Sequence, residues 1–368
     1  MMKRLVFICF LLFGLTLPLG ATCFGQWQSV FVDQSNCVAI DPRIALDIYQ
    51  NPHITHYDAS NQALKYVYFD NAAWHNAIVD AEGMAGQKSG IALDGANQVH
   101  VSYVRNGSLM YALKADGVWS LETIIPTPGS SVASTAIALD AAGNPHLAYA
   151  VGMSAESDLG LGVYYVHWDG AAWLVEPVGM RGCNVSIGLD SLGNPYLAFI
   201  TPAAAGASFN QIVCVRRNGG NWVPDYFDPE ATVSGDTGLA VDPGDRVHVV
   251  YRDWPNGRIR YALFDGANWA VQTVAEGVGQ VEGVKVDVNA QGQPHIAYNN
   301  GTGEQLLMYA YWTDIGWASE IIAAGGNLDI TLDVLGRPHV AHSQSAEGRI
   351  PLPWPIENCE VLKYSLRR

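Results

Sequence analysis

The chain has 368 residues, with 35 acidic against 20 basic side chains, a formal net charge of −15 and 49% apolar residues. That apolar content excludes a disordered chain, and the acidic balance excludes a nucleic-acid phosphate backbone as partner, which needs a basic stripe. The length suits two or three ordinary domains or one large closed β architecture, and 38 glycines with 11 tryptophans favour many turns and large apolar anchors.

The first residues, Met-Met-Lys3-Arg4 followed by an apolar run from Leu5 to Gly20, read as a secretory signal peptide over residues 1–25. No other segment of the chain is long and apolar enough to span a bilayer, so a secreted or periplasmic protein without a transmembrane span is expected. Cys23 stands where a lipid anchor would be attached. The preceding Gly20-Ala21-Thr22 lacks the leucine and the small final residue of such a site, so cleavage beyond Cys23 is the expectation.

From residue 26 onward one unit recurs seven times, its histidine position advancing by 44 to 52 residues. An apolar strand ending in Asp is followed by a short turn and then by Pro-His and a second strand. Examples are Ile44-Ala-Leu-Asp47 with Pro52-His53, Ile91-Ala-Leu-Asp94 with Val99-His100, and Ile137-Ala-Leu-Asp140 with Pro145-His146. The fourth unit carries Tyr196 at the histidine position and the sixth carries Asn289 for the aspartate. A third alternating strand and a fourth beginning at tryptophan complete the unit, as in Leu64-Lys-Tyr-Val-Tyr-Phe-Asp-Asn-Ala-Ala-Trp74. Asp-Gly and Asn-rich turns between alternating stretches are hairpin turns, so each unit is a four-stranded antiparallel meander, with strands A to D. Seven of them predict an all-β, seven-bladed β-propeller over residues 26–368, with A innermost. The seventh unit ends at its third strand, Leu362 to Arg368, whereas Trp27-Gln-Ser-Val-Phe-Val32 precedes the first unit as an unmatched fourth strand. The N-terminal strand is therefore expected to complete the last blade and close the ring.

Crowding near the axis accounts for small residues at the second position of strand A (Ala45, Ala92, Ala138, Gly188, Ala240, Thr331), while Asp287 stands out there, placed toward water or a ligand in the channel. The repeated aspartates and histidines, one per blade, are separated around a ring and are read as scaffold: Asp bonds the turn and His satisfies a neighbour. Function is sought where a unit departs from its own pattern. The A–B and C–D turns are nearly constant; the B–C and D–A connections vary and share the opposite rim, which is the expected site region.

Two departures are informative. Three residues after the Pro-His position five units carry an aromatic (Tyr103, Tyr149, Phe199, Tyr251, Tyr298), but units one and seven carry His56 and His342, neighbours after ring closure. With Asp58 they suggest a polar, ligand-binding or divalent-metal site, set against simple replacement of packed tyrosines. Arg252-Asp253-Trp254 with Arg258 forms an aromatic and guanidinium cluster suited to a sugar or a carboxylate. Other rim acids are Glu156, Asp158 and Glu304, which sequence alone does not pair as glycosidase chemistry requires. No catalytic residue and no cofactor are assigned; calcium in the channel is left open. Four cysteines remain after the signal segment, and of their three possible pairings Cys37–Cys359 and Cys183–Cys214 fit the blade positions. No CxxC motif points to a metal site.

The frame Ala-Leu-Asp-x-x-Gly-Asn-Pro-His-x-Ala-Tyr, followed by Leu-x-Tyr-Ala-x-x-Asp-Gly-x-x-Trp, resembles repeats of secreted bacterial β-propeller proteins. It is similar in plan to propeller lectins and sialidases. The resemblance implies the architecture across residues 26–368 and transfers no catalytic residues. The C–D turns, such as Asp169-Gly-Ala-Ala-Trp173, lack the Ser-x-Asp-x-Gly-x-x-Trp box of sialidases, and rim arginines are few: Arg105, Arg181, Arg252 and Arg258. The expected function is noncatalytic recognition of an extracellular or envelope glycan or protein. The alternatives are a polysaccharide hydrolase or lyase, and a structural part of an envelope assembly. Unequal loops favour a single asymmetric site over a lectin site repeated in every blade.

Overall fold

The computed structural model describes residues 26–33, 39–126, 131–152, 162–202, 210–279, 283–301, 305–345 and 360–368. The expected signal segment, Glu156, Asp158, Glu304 and the Cys37–Cys359 pair lie outside the described residues. Among the described residues, 28 strands form seven four-stranded antiparallel sheets. Blade one runs β2 (Ala39–Leu46), β3 (Pro52–Asp58), β4 (Ala63–Phe69) and β5 (Trp74–Asp80) as strands A to D. The next five blades repeat this order. The seventh is β26 (Leu328–Leu332), β27 (Pro338–Ser345), β28 (Glu360–Arg367) and then β1 (Trp27–Asp33). β1 pairs antiparallel with β28 from Trp27 opposite Arg367 to Phe31 opposite Lys363, so the ring closes by strand pairing between the two ends of the described chain.

The A strands line the central channel and are crowded there. A Cβ on Gly188 would stand 2.5 Å from Leu239, which leaves no room for a side chain. Each A–B turn is built on one clip. The aspartate or asparagine ending strand A accepts the backbone N–H groups two and four residues on, as Asp47 does from Tyr49 at 2.9 Å and Asn51 at 2.7 Å. All seven copies make both bonds. The residue three past the clip is left-handed in every turn, from Gln50 at φ 69° to Gly336 at φ 74°.

The histidines are scaffold of a more specific kind than satisfaction of a neighbouring blade. In six blades the tyrosine of strand C meets His Nδ1 of strand B in the same blade at 2.5 to 2.7 Å. In five of these, His Nε2 lies 3.3 to 3.7 Å from the clip aspartate. Burial holds these rings below the usual histidine range, His295 down to about 4. The ring is then neutral, its Nε2 proton faces the aspartate, and the tyrosine O–H donates to Nδ1. The link between blades comes next: the strand D tryptophan of the following blade packs on that tyrosine at 5.0 to 5.5 Å between centroids. Blade four departs at both places together, with Tyr196 for the histidine and Cys214 for the tyrosine, and there Trp269 stacks on Phe227 at 4.1 Å instead.

Cys183 and Cys214 are free thiols, which corrects the expected disulfide. Cys183 on strand A sits opposite Ile200 of strand B, and Cys214 on strand C sits opposite Ala198 of the same strand B. A whole strand therefore separates them, roughly 9.5 Å across two strand spacings, and a disulfide needs Cα atoms within about 7 Å. Burial pushes both thiols up, Cys183 to about 11. Among the described residues no helix is long and apolar enough to cross a membrane.

Candidate functional site

His56 and Asp58 meet at the outer seam between the seventh and first blades. His56, 2% exposed, has Nε2 3.2 Å from Asp33 Oδ2, the residue ending β1. Lys65, paired across strands with His56, donates to the same carboxylate and lies 3.9 Å from Asp58. Asp58 in turn accepts the backbone N–H groups of Ser60 and Asn61 and the Asn61 side-chain amide, which shapes the B–C turn. The same construction occurs elsewhere in the ring with tyrosine in place of histidine. Tyr103 donates to Asp80 at 2.7 Å with Arg105 beside it, and Tyr251 donates to Asp228 at 2.5 Å with Arg260 beside it. His56 thus occupies the place of a tyrosine hydroxyl in an acid–donor–cation cluster that ties one blade to the next.

His342 is fully buried and bonds different partners, with Nε2 2.9 Å from Ser365 Oγ. Burial and the nearby Lys363 ammonium push it down to about 4, so it is neutral at physiological pH. Sequence placed His56 and His342 in adjacent blades, but they enter separate networks. No group of three or more His, Cys, Asp or Glu side chains among the described residues is placed to hold a metal ion.

The Arg252 cluster is partly folded into the protein. Arg252 is buried, donates to the Gly279 carbonyl and lies 5.1 Å from the Trp254 ring. Asp253, 2% exposed, accepts from the Thr232 backbone at 3.1 Å and from the Asn256 amide. Trp254 and Arg258 keep part of their surface in solvent on the variable rim, with Arg258 3.5 Å from Glu276.

The feature not read from the sequence is the mouth of the channel on this same rim. Strand A begins here, and two tiers of its inward positions carry charge. Arg43, Lys285 and Asp329 stand four residues before their clip residues; Asp41, Lys88 and Asp236 stand six before. Lys88 pairs with Asp41 at 3.2 Å and Lys285 with Asp236 at 3.1 Å. Asp329 Oδ2 accepts the Ile44 N–H at 3.0 Å across the blade boundary, beside the Arg43 guanidinium. Burial alone would raise Asp236, but Lys285, Arg43 and Lys88 together hold it at about 2. These groups lead into a 160 Å³ cavity that Thr135, Ser186 and Thr237 also line. Thr135 Oγ1 is buried there with no partner among the described residues. The signal was present: at the four-before position the other blades carry only Gly90, Ala136, Ser186 and Gly238. Charge among such small residues on the innermost strand marks the axis.

Further along the axis, toward the A–B turns, the channel widens to 610 Å³ between aliphatic residues. Gln50, Thr331 and Asp333 also line it, and so does Asp287, as expected. Both its oxygens are engaged, by the Val288 N–H and by the Leu332 N–H of the next blade, each at 2.8 Å. Burial, reinforced by Asp329, pushes it up to about 6.

No known protein family's profile matches this chain, and no curated protein matches it. Solved structures share its fold. The polysaccharide lyase Uly1 aligns at a TM-score of 0.58 with 8% identity, over 94% of this chain and 99% of that one. An inactive virginiamycin B lyase from Staphylococcus aureus, solved with quinupristin, aligns at 0.56 with 10% identity, over 93% and 100%. A mutant Aleuria aurantia lectin in complex with Fucalpha1-6GlcNAc aligns at 0.54 with 10% identity, over 78% and 97%. At these identities the likeness is one of fold: the chain is an all-β, seven-bladed propeller built on the same plan as lectins and lyases.

Proposed function

We propose that this chain is an exported, noncatalytic propeller that recognises a carbohydrate through its variable rim, at an asymmetric site centred on the channel mouth. The observation that supports it most is the mouth itself. Three cations and three carboxylates gather at the mouth, and three of them, Arg43, Lys285 and Asp329, line a small cavity together with the hydroxyls of Thr135, Ser186 and Thr237, so donors and acceptors are presented together. A neutral polyol suits such a ring, because its hydroxyl groups both donate to carboxylates and accept from ammonium and guanidinium groups. Trp254 and Arg258 extend the site outward along the rim and offer a sugar an apolar face. His56, Asp58, Arg252, Asp253 and His342 hold the rim from beneath. The polysaccharide lyase and the lectin that share the fold are compatible with a saccharide ligand and do not identify one.

The test is a glycan-array screen of the purified protein with and without calcium, followed by calorimetry on each hit and a depolymerisation assay on the same glycan. Saturable binding without product release, lost in Asp329→Asn and weakened in Trp254→Ala, supports the reading. Product release moves the chain to the polysaccharide-cleaving enzymes. Absence of any glycan binding makes a protein the partner, sought by pull-down from envelope extract.

A further inference from the structure

The grooves between blades on the opposite, constant rim carry a second observation. Where blades three and four meet, Arg217 of strand C lies 5.7 Å from the Trp222 ring and donates to Glu176 of the preceding blade at 2.7 Å. Where blades six and seven meet, Arg367 lies 5.3 Å and 4.8 Å from the rings of Tyr309 and Tyr311 and 2.8 Å from Glu320. There Trp27 also donates its indole N–H to that glutamate at 2.7 Å. Between blades one and two the cation is Lys114, 4.7 Å and 4.6 Å from the rings of Tyr66 and Tyr68. The propeller thus fills three of its own grooves with a cation on an aromatic wall, and two of them add a carboxylate.

Between blades two and three the receptor is present and the cation is not. Trp168 stands at the frame position of Lys114 and Arg217, five residues before the strand D tryptophan. Trp173 donates its N–H to Glu122 at 3.1 Å, as Trp27 does to Glu320, and packs on Tyr111 at 5.0 Å and on Trp168 at 5.4 Å. The groove is an open 550 Å³ cavity lined by Tyr111, Trp168, Trp173, Leu113, Asn144 and Glu122 among others. Among the described residues Glu122 is the one carboxylate lining it, and burial pushes the His100 imidazole at its floor below the usual histidine range.

We infer that this groove binds an arginine side chain presented by a partner polypeptide, which takes the place that Arg217 and Arg367 fill in the sibling grooves. The guanidinium lies against the indole and phenol faces and donates to Glu122, and the net charge of −15 favours approach of a basic segment. This site is separate from the carbohydrate site proposed on the variable rim, and neither depends on the other.

The experiment titrates the protein with an acetyl-Gly-Arg-Gly-amide peptide, its citrulline counterpart and guanidinium chloride alone, reading tryptophan fluorescence and calorimetry at low salt. The arginine peptide is expected to bind saturably, with the citrulline peptide about tenfold weaker, the loss expected of one charge-assisted, cation–π contact. Trp168→Arg, which copies the sibling grooves, should abolish binding without lowering the melting temperature. Glu122→Gln, an exposed change, should weaken binding about tenfold if that variant alone is available. Equal binding of arginine and citrulline peptides, binding unchanged in either variant, or no saturable binding overturns the inference. Guanidinium ion binding as tightly as the peptide overturns the polypeptide as partner and leaves a small cation in its place.

Discussion

The two ends of the channel are made by the same seven strands and follow opposite rules. At the A–B end six of the seven blades repeat one chain of contacts, from His to Tyr to the tryptophan of the next blade, and in five of them it starts at the Asp clip. At the other end strand A carries charges in only some blades, and these pair between neighbouring blades, as Lys285 does with Asp236. Repetition suits a scaffold, because each copy closes the same gap between identical neighbours. A ligand site needs the reverse, since seven equal copies around an axis create no single preferred orientation. The contrast teaches where to look in a repeat protein: at the strand ends where the repeat is broken.

The variable rim rests on buried charge, and removing one partner should show it most strongly. Asp33→Ala takes from His56 its carboxylate and leaves Lys65 the more distant Asp58, in a site where all are nearly inaccessible. A loss of about 3–5 kcal/mol is expected in urea denaturation at pH 7. A loss below about 1 kcal/mol, the range of an exposed pair, would break the contrast by making that cluster a surface feature. At the constant end Tyr165→Phe removes the donor to His146 Nδ1 and keeps the ring that Trp222 packs on. It should cost about 1–3 kcal/mol, the penalty for a buried acceptor left unmade. The same change in any of the five sibling blades should cost a similar amount if the repeat is energetically a repeat.

The channel carboxylates should titrate in opposite senses. Asp287, raised to about 6, is more costly to ionise in the folded chain than in the unfolded one, so its effect is absent below about pH 4 and destabilises as pH rises toward 6. Asp287→Asn should therefore stabilise by about 1–2 kcal/mol at pH 7, allowing for the open channel it faces, with no difference near pH 3. Asp236, held at about 2, contributes stability that is complete above about pH 4 and is lost as pH falls toward 2, so Asp236→Asn should destabilise at pH 7. Thermal melts of both variants from pH 3 to 7 measure the two slopes. The smallest effect on stability is expected of Lys285→Met. Its pair with Asp236 is partly solvated and on the order of 1 kcal/mol or less, yet it should weaken glycan binding measurably by calorimetry.

Sequence alone determined the number of blades, their four strands, the innermost position of strand A and the closure by Trp27 to Asp33, because each follows from a local pattern repeated seven times. It also identified the Asp and His copies as scaffold, since one residue per unit is distributed around a ring and does not converge. Tertiary structure decided what those residues touch. The partner of His53 is Tyr66, thirteen residues away on the next strand, and the partner of His56 is Asp33, 23 residues earlier on the strand that completes the seventh blade. Neither distance is encoded in spacing. The Cys183–Cys214 pairing failed for the same reason: two cysteines in one blade look close in sequence, yet strand B lies between them. The channel mouth and the open groove at Trp168 rest on residues at positions that vary from blade to blade. Their groups came together only when the ring brought Arg43, Asp236, Lys285 and Asp329, from four different blades, to one axis, and set Glu122 of one blade against Trp173 of the next.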